Sequence, residues 1–338
     1  MTMLQGNNVV VIADKLADFG GSILARLGAD VVLFRSADDM TRGRAAAWHQ
    51  GMRESTDDLP TLLGWADILL DDRRSAPENP ERDALAAQHD RLIHVVVTGW
   101  PEGQPQRPVT DLTLMAASGL MAVTGEPHKP PLRLPGEQAY ALTGIQAATA
   151  ALMGLRARRT TGKGQRITLS ALQSAALANY REAVMYDWTG RIGTRRGNML
   201  VRGKSGVRQV WPCADGHVTW SMIDNPGMMR AVVRAMEADG GAGELAQVDW
   251  DAILVADTDQ DVIERWQGLI AAFFARHTRA DLGRMSLEAG WGLSPITKLA
   301  EVPDSPQMQA RGMFHKDAEG RRLPGPLFAV HQPGAVAS

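Results

Sequence analysis

Cysteine is almost absent: Cys213 is the single one in 338 residues. That excludes an internal disulfide framework and any all-cysteine metal cluster, and it suits a reducing cytoplasm. A charge excess of either sign is also missing. Lys and Arg number 36 against 38 Asp and Glu, a formal net charge of −2, so no global field exists to hold a polyanion and nucleic acid is not an expected partner. An anionic ligand has to be met by a local site. No apolar run approaches the roughly 18 residues of a membrane span, and residues 1–8 lack the basic and apolar stretches of a signal peptide. The expectation is a cytoplasmic protein. The eight histidines are scattered without metal-ligand spacing, so no metal is expected.

What is present is an alternation of strand and helix signals. Val9–Ile12 and Asp30–Phe34 flank a helical pattern from Leu16 to Leu27, which predicts a βαβ unit and a parallel sheet. Leu62–Leu70 and Leu92–Thr98 are further strand candidates around a polar helix near Pro80–Gln88, continuing an α/β pattern. Leu112–Val123 predicts a buried helix and Ala141–Arg158 a closely packed one. Ser170 and Gln173 form a capping box that opens a helix running to about Trp188. Asp215-Gly216 between two apolar runs predicts a hairpin, with helices at 228–239, 260–276 and 280–289. The expected division is a large α/β domain over 1–195, a smaller α+β domain over 196–300, and an extended, proline-rich return over 301–338.

The first βα turn carries Asp18-Phe19-Gly20-Gly21-Ser22, which invites a nucleotide reading because glycines at a helix start admit a phosphate. The G-x-G-x-x-G spacing is missing, and glycines that allow close helix packing explain it better. Five collinear stretches carry a more specific signal. They are Leu24-Ala-Arg-Leu-Gly-Ala-Asp-Val-Val32, Ile93–Trp100, Thr110–Met121 with Thr124-Gly-Glu-Pro127, Arg159-Thr-Thr-Gly-Lys-Gly-Gln165, and Leu293–Gly312 with Gln309-Ala-Arg-Gly312. Their order and spacing resemble those of the family III CoA-transferases, the CaiB/BaiF group.

The resemblance implies a Rossmann-like parallel-sheet domain, a smaller inserted domain and two chains interlocked as a dimer. It also implies enzymes that move CoA between carboxylic acids through an aspartate. That aspartate attacks the acyl-CoA thioester and passes through anhydride and thioester intermediates, for which only a carboxylate serves. It precedes the glycine of a Thr-Gly pair by four residues; here the pair is Thr143-Gly144, and the position holds Tyr140. A phenol with an ordinary pKa of about 10 cannot carry CoA as an acyl thioester, but it can donate a hydrogen bond to a thioester carbonyl or an enolate. The histidine of the related racemase branch would fall just before Asp111, where Thr110 stands. Glu137, three residues before Tyr140, is either a second acid of the same cleft or a solvated loop residue.

Among the positions that handle CoA in the family, Arg42, after Asp38-Asp39, falls on an arginine expected at the nucleotide end, or is a surface arginine. His49-Gln-Gly-Met-Arg53 places Arg53 in a CoA-contacting stretch in which Met52 replaces a lysine, and Asp71-Asp72 replaces a Glu-Asn pair, setting negative charge near the ligand. Arg107 lies in the loop before Thr110, and Lys163 and Gln165 belong to the surviving glycine loop. The arginines and lysine between Arg191 and Arg208 either bind phosphates or solvate a linker. The leading expectation is a non-catalytic subunit of a heteromeric CoA-transferase, with acyl-CoA as ligand and an aspartate-bearing paralogue as partner. Its small domain resembles that of the benzylsuccinate-type transferases through Met236-Glu-Ala-Asp-Gly240 and Val248-Asp-Trp250. The alternatives are a stand-alone acyl-CoA enzyme of lyase, hydratase or isomerase type that uses Tyr140 and Glu137, and an acyl-CoA-binding module; a homodimer is the alternative to the heteromer. The resemblance also implies a chain shortened around residues 35–60 and after Ser338, with some closing surface coming from another chain.

Overall fold

The computed structural model describes residues 3–35, 42–75, 77–105 and 107–325. Asp38, Asp39, the side chain of Arg42 and residues 326–338 of the return segment lie outside the described residues. The apolar run Asn8–Ile12 is β1, Asp18–Arg26 is α1 and Asp30–Arg35 is β2, with Val9, Val10 and Val11 facing Val31, Val32 and Leu33 in parallel register. Next come α2 (Arg42–Trp48), β3 (Arg53–Glu54), α3 (Leu59–Trp65), β4 (Ile68–Asp72), α4 (Pro80–Ala86), β5 (Ile93–Thr98), α5 (Asp111–Ala117), α6 (Gln138–Thr161), β6 (Gln165–Ser170), α7 (Ala171–Leu177) and α8 (Tyr180–Thr189). The six strands form one parallel sheet in the order β3-β2-β1-β4-β5-β6. Both faces are covered, so β1, β4 and β5 are almost wholly buried and their sequences are continuous rather than alternating.

Three local expectations change. The apolar run 62–70 is not one strand. Asp58 accepts from the backbone N of Thr61 and Pro60 sits in the first turn, so helix α3 takes Leu62 and Leu63 onto the sheet before β4 begins at Ile68. The helix at 112–123 ends at Ala117, with Gly119 at φ +83 in the turn that follows and Leu112 exposed. The helix opened by Ser170 breaks into α7 and α8 at Ala178-Asn179, where the amide bonds shorten to i→i−3. Ser170 does cap α7 through Gln173 N.

The glycines of the first turn serve packing. Gly20 and Gly21 lie inside α1, and a Cβ built on Gly20 would stand 2.7 Å from the carbonyl oxygen of Gly144 in α6. The pair lets two helices approach closely.

A second compact unit comprises Gly125–Pro130 and Arg195–Ser305, while the first takes the chain up to Thr124, Pro131–Thr194 and from Pro306 onward. The second contains β7 (Met199–Arg202), β8 (Ser205–Arg208), β9 (Val210–Cys213), β10 (Gly216–Thr219), α9 (Pro226–Ala238), α10 (Gln260–Arg276), α11 (Arg279–Ala289) and β11 (Ser294–Pro295). The predicted hairpin is β9–β10, paired Gly216↔Cys213. Its core is aromatic: Phe274 meets Trp211 edge-on at 5.5 Å and Trp220 at 5.8 Å. The return after Val302 is not simply extended. It contains the short α12 (Pro306–Ala310) and an antiparallel pair, β12 (Phe314–Lys316) with β13 (Arg322–Pro324), and Arg26 donates to the carbonyl of Pro324.

Candidate active site at the N-terminal end of α6

In a doubly wound sheet the ligand crevice opens where the strand order reverses, at the carboxyl ends of the strands. Here that point lies between β1 and β4. Asp72 at the end of β4 is buried, and its Oδ2 accepts from the backbone N of Asp14 (3.0 Å), Leu16 (2.6 Å) and Ala17 (3.0 Å), while Oδ1 accepts from Arg74 N (3.0 Å). Burial and the nearby carboxylate of Asp18 outweigh these donors and push its pKa up to about 7. Asp18 accepts from Lys15 N at 3.0 Å and lies 3.1 Å from His49 Nε2. The intervening Lys15 has φ +82, a left-handed conformation for a non-glycine residue. The turn is held from within by carboxylates.

Tyr140 sits in the first turn of α6 and is 3% exposed. Its hydroxyl donates to the carbonyl of Val109 at 3.4 Å, an oxygen that Arg74 Nη1 also approaches at 3.4 Å. Arg74 is in turn held by Asp14, Nη2 to Oδ1 at 2.6 Å. Burial pushes the phenol up to about 12, against the opposing pull of Arg74, so it is a neutral hydrogen-bond donor at physiological pH. Asp111 caps the helix: its Oδ1 accepts from Ala139 N at 2.8 Å and Tyr140 N at 3.3 Å, and Arg133 stands 3.3 Å from Oδ2. Burial holds the Asp111 carboxyl above the usual range although those amide donors oppose it. Glu137 is ion-paired with Arg44, whose guanidinium lies 4.2 Å from the Trp48 ring centre and 5.9 Å from that of Tyr140. Among the described residues, the carboxylates beside Tyr140, Asp111 and Glu137, each already have a partner within the chain.

The chain matches the CoA-transferase family III profile over residues 4–337. It belongs to CoA-transferase family III. It is 25% identical over 339 residues to the BbsE subunit of succinyl-CoA:(R)-benzylsuccinate CoA-transferase from Thauera aromatica, covering 90% of this chain and 81% of that protein. It is 28% identical to the succinate–glutarate CoA-transferase of Agrobacterium fabrum, covering 95% and 87%. A crystal structure of a CaiB/BaiF family protein from Brucella suis superposes with a TM-score of 0.82 at 24% identity, over 97% of this chain and 93% of that one. The fold is the family III fold: a large parallel-sheet α/β unit with a smaller α+β unit. The relatives named as CoA-transferases use CoA thioesters as substrates.

In this family III chain the sequence-predicted residues fall in four places. Tyr140 and Glu137 are together at the start of α6. Arg53 is on β3, exposed, and chelated by Asp30 at 2.9 and 3.2 Å above the ring of Trp65. Arg107 is exposed, its guanidinium 5.4 Å from the Trp100 ring centre. Lys163 and Gln165 follow α6, and the rise of the helix from Tyr140 to Thr161 puts them roughly 31 Å away. They lie at the amino ends of the strands, opposite the crevice. Asp71 and Asp72 are both buried and bonded within the chain. Asp71 is fully buried, bound by Arg73, Arg82 and His94 Nε2, and despite burial His94 and Arg73 hold its pKa below the ordinary value.

Thr110 caps α5, accepting from Thr113 N. Met52 packs against Gly21. Sequence reasoning missed Arg44, Arg74 and Asp111, which come to Tyr140 from three separate loops or helices, and Asp14, which holds Arg74. The Thr-Asp start of α5 was the only local signal, since a capped helix start marks an acidic residue placed for its neighbours. Among the described residues no group of three or more His, Cys, Asp and Glu is arranged to hold a metal, and no helix is long and apolar enough to cross a membrane.

Proposed function

We propose that the protein is a subunit of a heteromeric CoA-transferase that does not itself form the acyl anhydride, and that an aspartate-bearing chain of the same family supplies the nucleophile. The observation that carries this reading is Tyr140. At the family's nucleophile position stands a phenol that is 3% exposed, pushed up to about 12 and bonded to a backbone carbonyl. In the transfer, a carboxylate attacks the thioester carbonyl and expels CoA thiolate; the thiolate then attacks the aspartyl carbonyl of the anhydride and releases the first acid. Neither step has a counterpart for a neutral, buried phenol. The nearest carboxylates are committed elsewhere, Asp111 to the helix cap and Glu137 to Arg44. The subunit designation of the Thauera relative adds support. The interlocked arrangement of two family III chains in a cytoplasmic enzyme, with acyl-CoA as ligand, belongs to the same reading.

Arg42, Arg53, Arg107, Lys163 and Gln165 are proposed CoA-handling residues only through the family resemblance. Calorimetry with CoA on single alanine variants tests each. The reading as a whole is tested by co-purification from the source cells: recovery of a stoichiometric family III paralogue carrying the aspartate is expected. A homogeneous single-chain enzyme that exchanges CoA would overturn it. The stand-alone alternative predicts turnover of an acyl-CoA panel by the pure chain, lost in Tyr140→Phe.

A further inference from the structure

At the far end of α6 the structure holds a cavity of about 320 Å³ that no part of the reading above uses. Its floor is apolar, from Leu4, Leu152 and Leu155; its rim is cationic, from Arg91, Arg156, Arg158 and Arg159; and no acidic residue lines it. Leu152, Leu155, Arg156 and Arg159 follow one another at spacings of three, one and three, which puts them on one face of the helix. In the turns that precede them, Ala147, Ala148 and Ala151 are buried in the sheet core.

Two of the four guanidinium groups are already spent. Arg158 binds Asp67 Oδ1 at 2.8 Å and the carbonyl of Arg91 at 2.9 Å, and Arg91 donates to the carbonyl of Gly162 at 3.0 Å. Arg156 and Arg159 have no carboxylate partner among the described residues, and both are exposed to the cavity mouth. Basic residues at a helix C-terminus gain from the helix dipole, which accounts for Arg158 and Arg159 as helix residues. Arg91, from a separate loop, is accounted for by its bond to the Gly162 carbonyl; the leucine floor beneath Arg156 and Arg159 is not accounted for in this way.

We propose that this cavity binds a small organic anion, a carboxylate or phosphate head carried on a short apolar body. The head would lie in the fork of Arg156 and Arg159, and the body on Leu152 and Leu155. Planar guanidinium groups match both head groups in bidentate geometry, and a volume near 300 Å³ is at the small end of metabolite pockets. The helix from Tyr140 to Arg156 spans roughly 24 Å, so the site is separate from the Tyr140 crevice and does not depend on the proposed subunit role.

The test is calorimetric titration of the full chain with pyrophosphate and, separately, hexanoate, at low and high salt. Saturable binding of at least one probe is expected, weakened about tenfold or more in Arg156→Gln/Arg159→Gln, weakened at high salt, and unchanged in Tyr140→Phe. The probe that binds tells a phosphate head from a carboxylate head. Thermal unfolding and the two single variants, each expected to lose several-fold, separate lost binding from lost fold. Failure of both probes to bind, or wild-type affinity in the folded double variant, would overturn the proposal.

Discussion

The N-terminal end of α6 closes over Tyr140, Asp111 and Glu137, and each carboxylate there is paired with an arginine or a row of backbone amides. The C-terminal end opens onto a cavity whose rim carries four guanidinium groups, one of them paired with Asp67. One helix thus separates a buried, internally neutralised crevice from an open cationic one. The difference shows why motif survival is a poor guide to chemistry. The well-preserved glycine loop with Lys163 sits at the end remote from the crevice, while at the crevice, the usual ligand position of the fold, Asp72, Asp111 and Glu137 are bonded within the chain.

The sharpest way to break the crevice is Asp72→Ala. It strips the acceptor from four backbone N–H groups, and each buried donor left unsatisfied costs about 1–3 kcal/mol. Urea unfolding is expected to show a loss of more than about 3 kcal/mol, or no folded protein; a loss under about 1 kcal/mol would mean the turn is not held by Asp72. A smaller effect is expected for Gly144→Ala, whose methyl would stand 2.8 Å from the Phe19 Cβ. Overpacking of this kind costs about 1–3 kcal/mol, and the denaturation midpoint measures it.

Tyr140→Phe should change stability by less than about 1 kcal/mol, because the bond lost is long. It should also remove a tyrosinate signal. Since the folded pKa is raised from about 10 in the unfolded chain to about 12, the folded state holds its proton through that window. Stability attributable to this phenol is full below pH 10 and falls as pH rises from 10 to 12. Absorbance at 295 nm during a pH titration checks both points. The smallest effect is expected for Arg53→Ala, which breaks an exposed pair with Asp30 and should cost less than about 1 kcal/mol.

How much of this was legible depends on the range of each interaction. The β1-α1-β2 unit and the β9–β10 hairpin follow from local patterns, because continuous apolar runs and an Asp-Gly turn suffice to specify them. Helix α3 was hidden because Leu62 and Leu63 run on into an apolar strand, and only the Asp58–Pro60 start separates the two. The break at Asn179 carries no glycine or proline signal. At the site, Tyr140 was found by its spacing to Gly144, and Glu137 by adjacency. Arg44 and Arg74 come to Tyr140, and Asp14 to Arg74, only through the parallel topology, which sequence spacing does not encode. The distance between Lys163 and Tyr140 depended on the unbroken length of α6, which its proline-free, alanine-rich composition permitted but did not itself mark as 24 residues.

The account rests on Tyr140 leaving this chain unable to carry the acyl group. The most direct measurement is exchange of isotopically labelled succinate into succinyl-CoA by the pure chain, alone and after addition of the aspartate-bearing paralogue. The account predicts no exchange alone and exchange with the paralogue, abolished when that paralogue's aspartate is replaced. Exchange by the pure chain alone would contradict it.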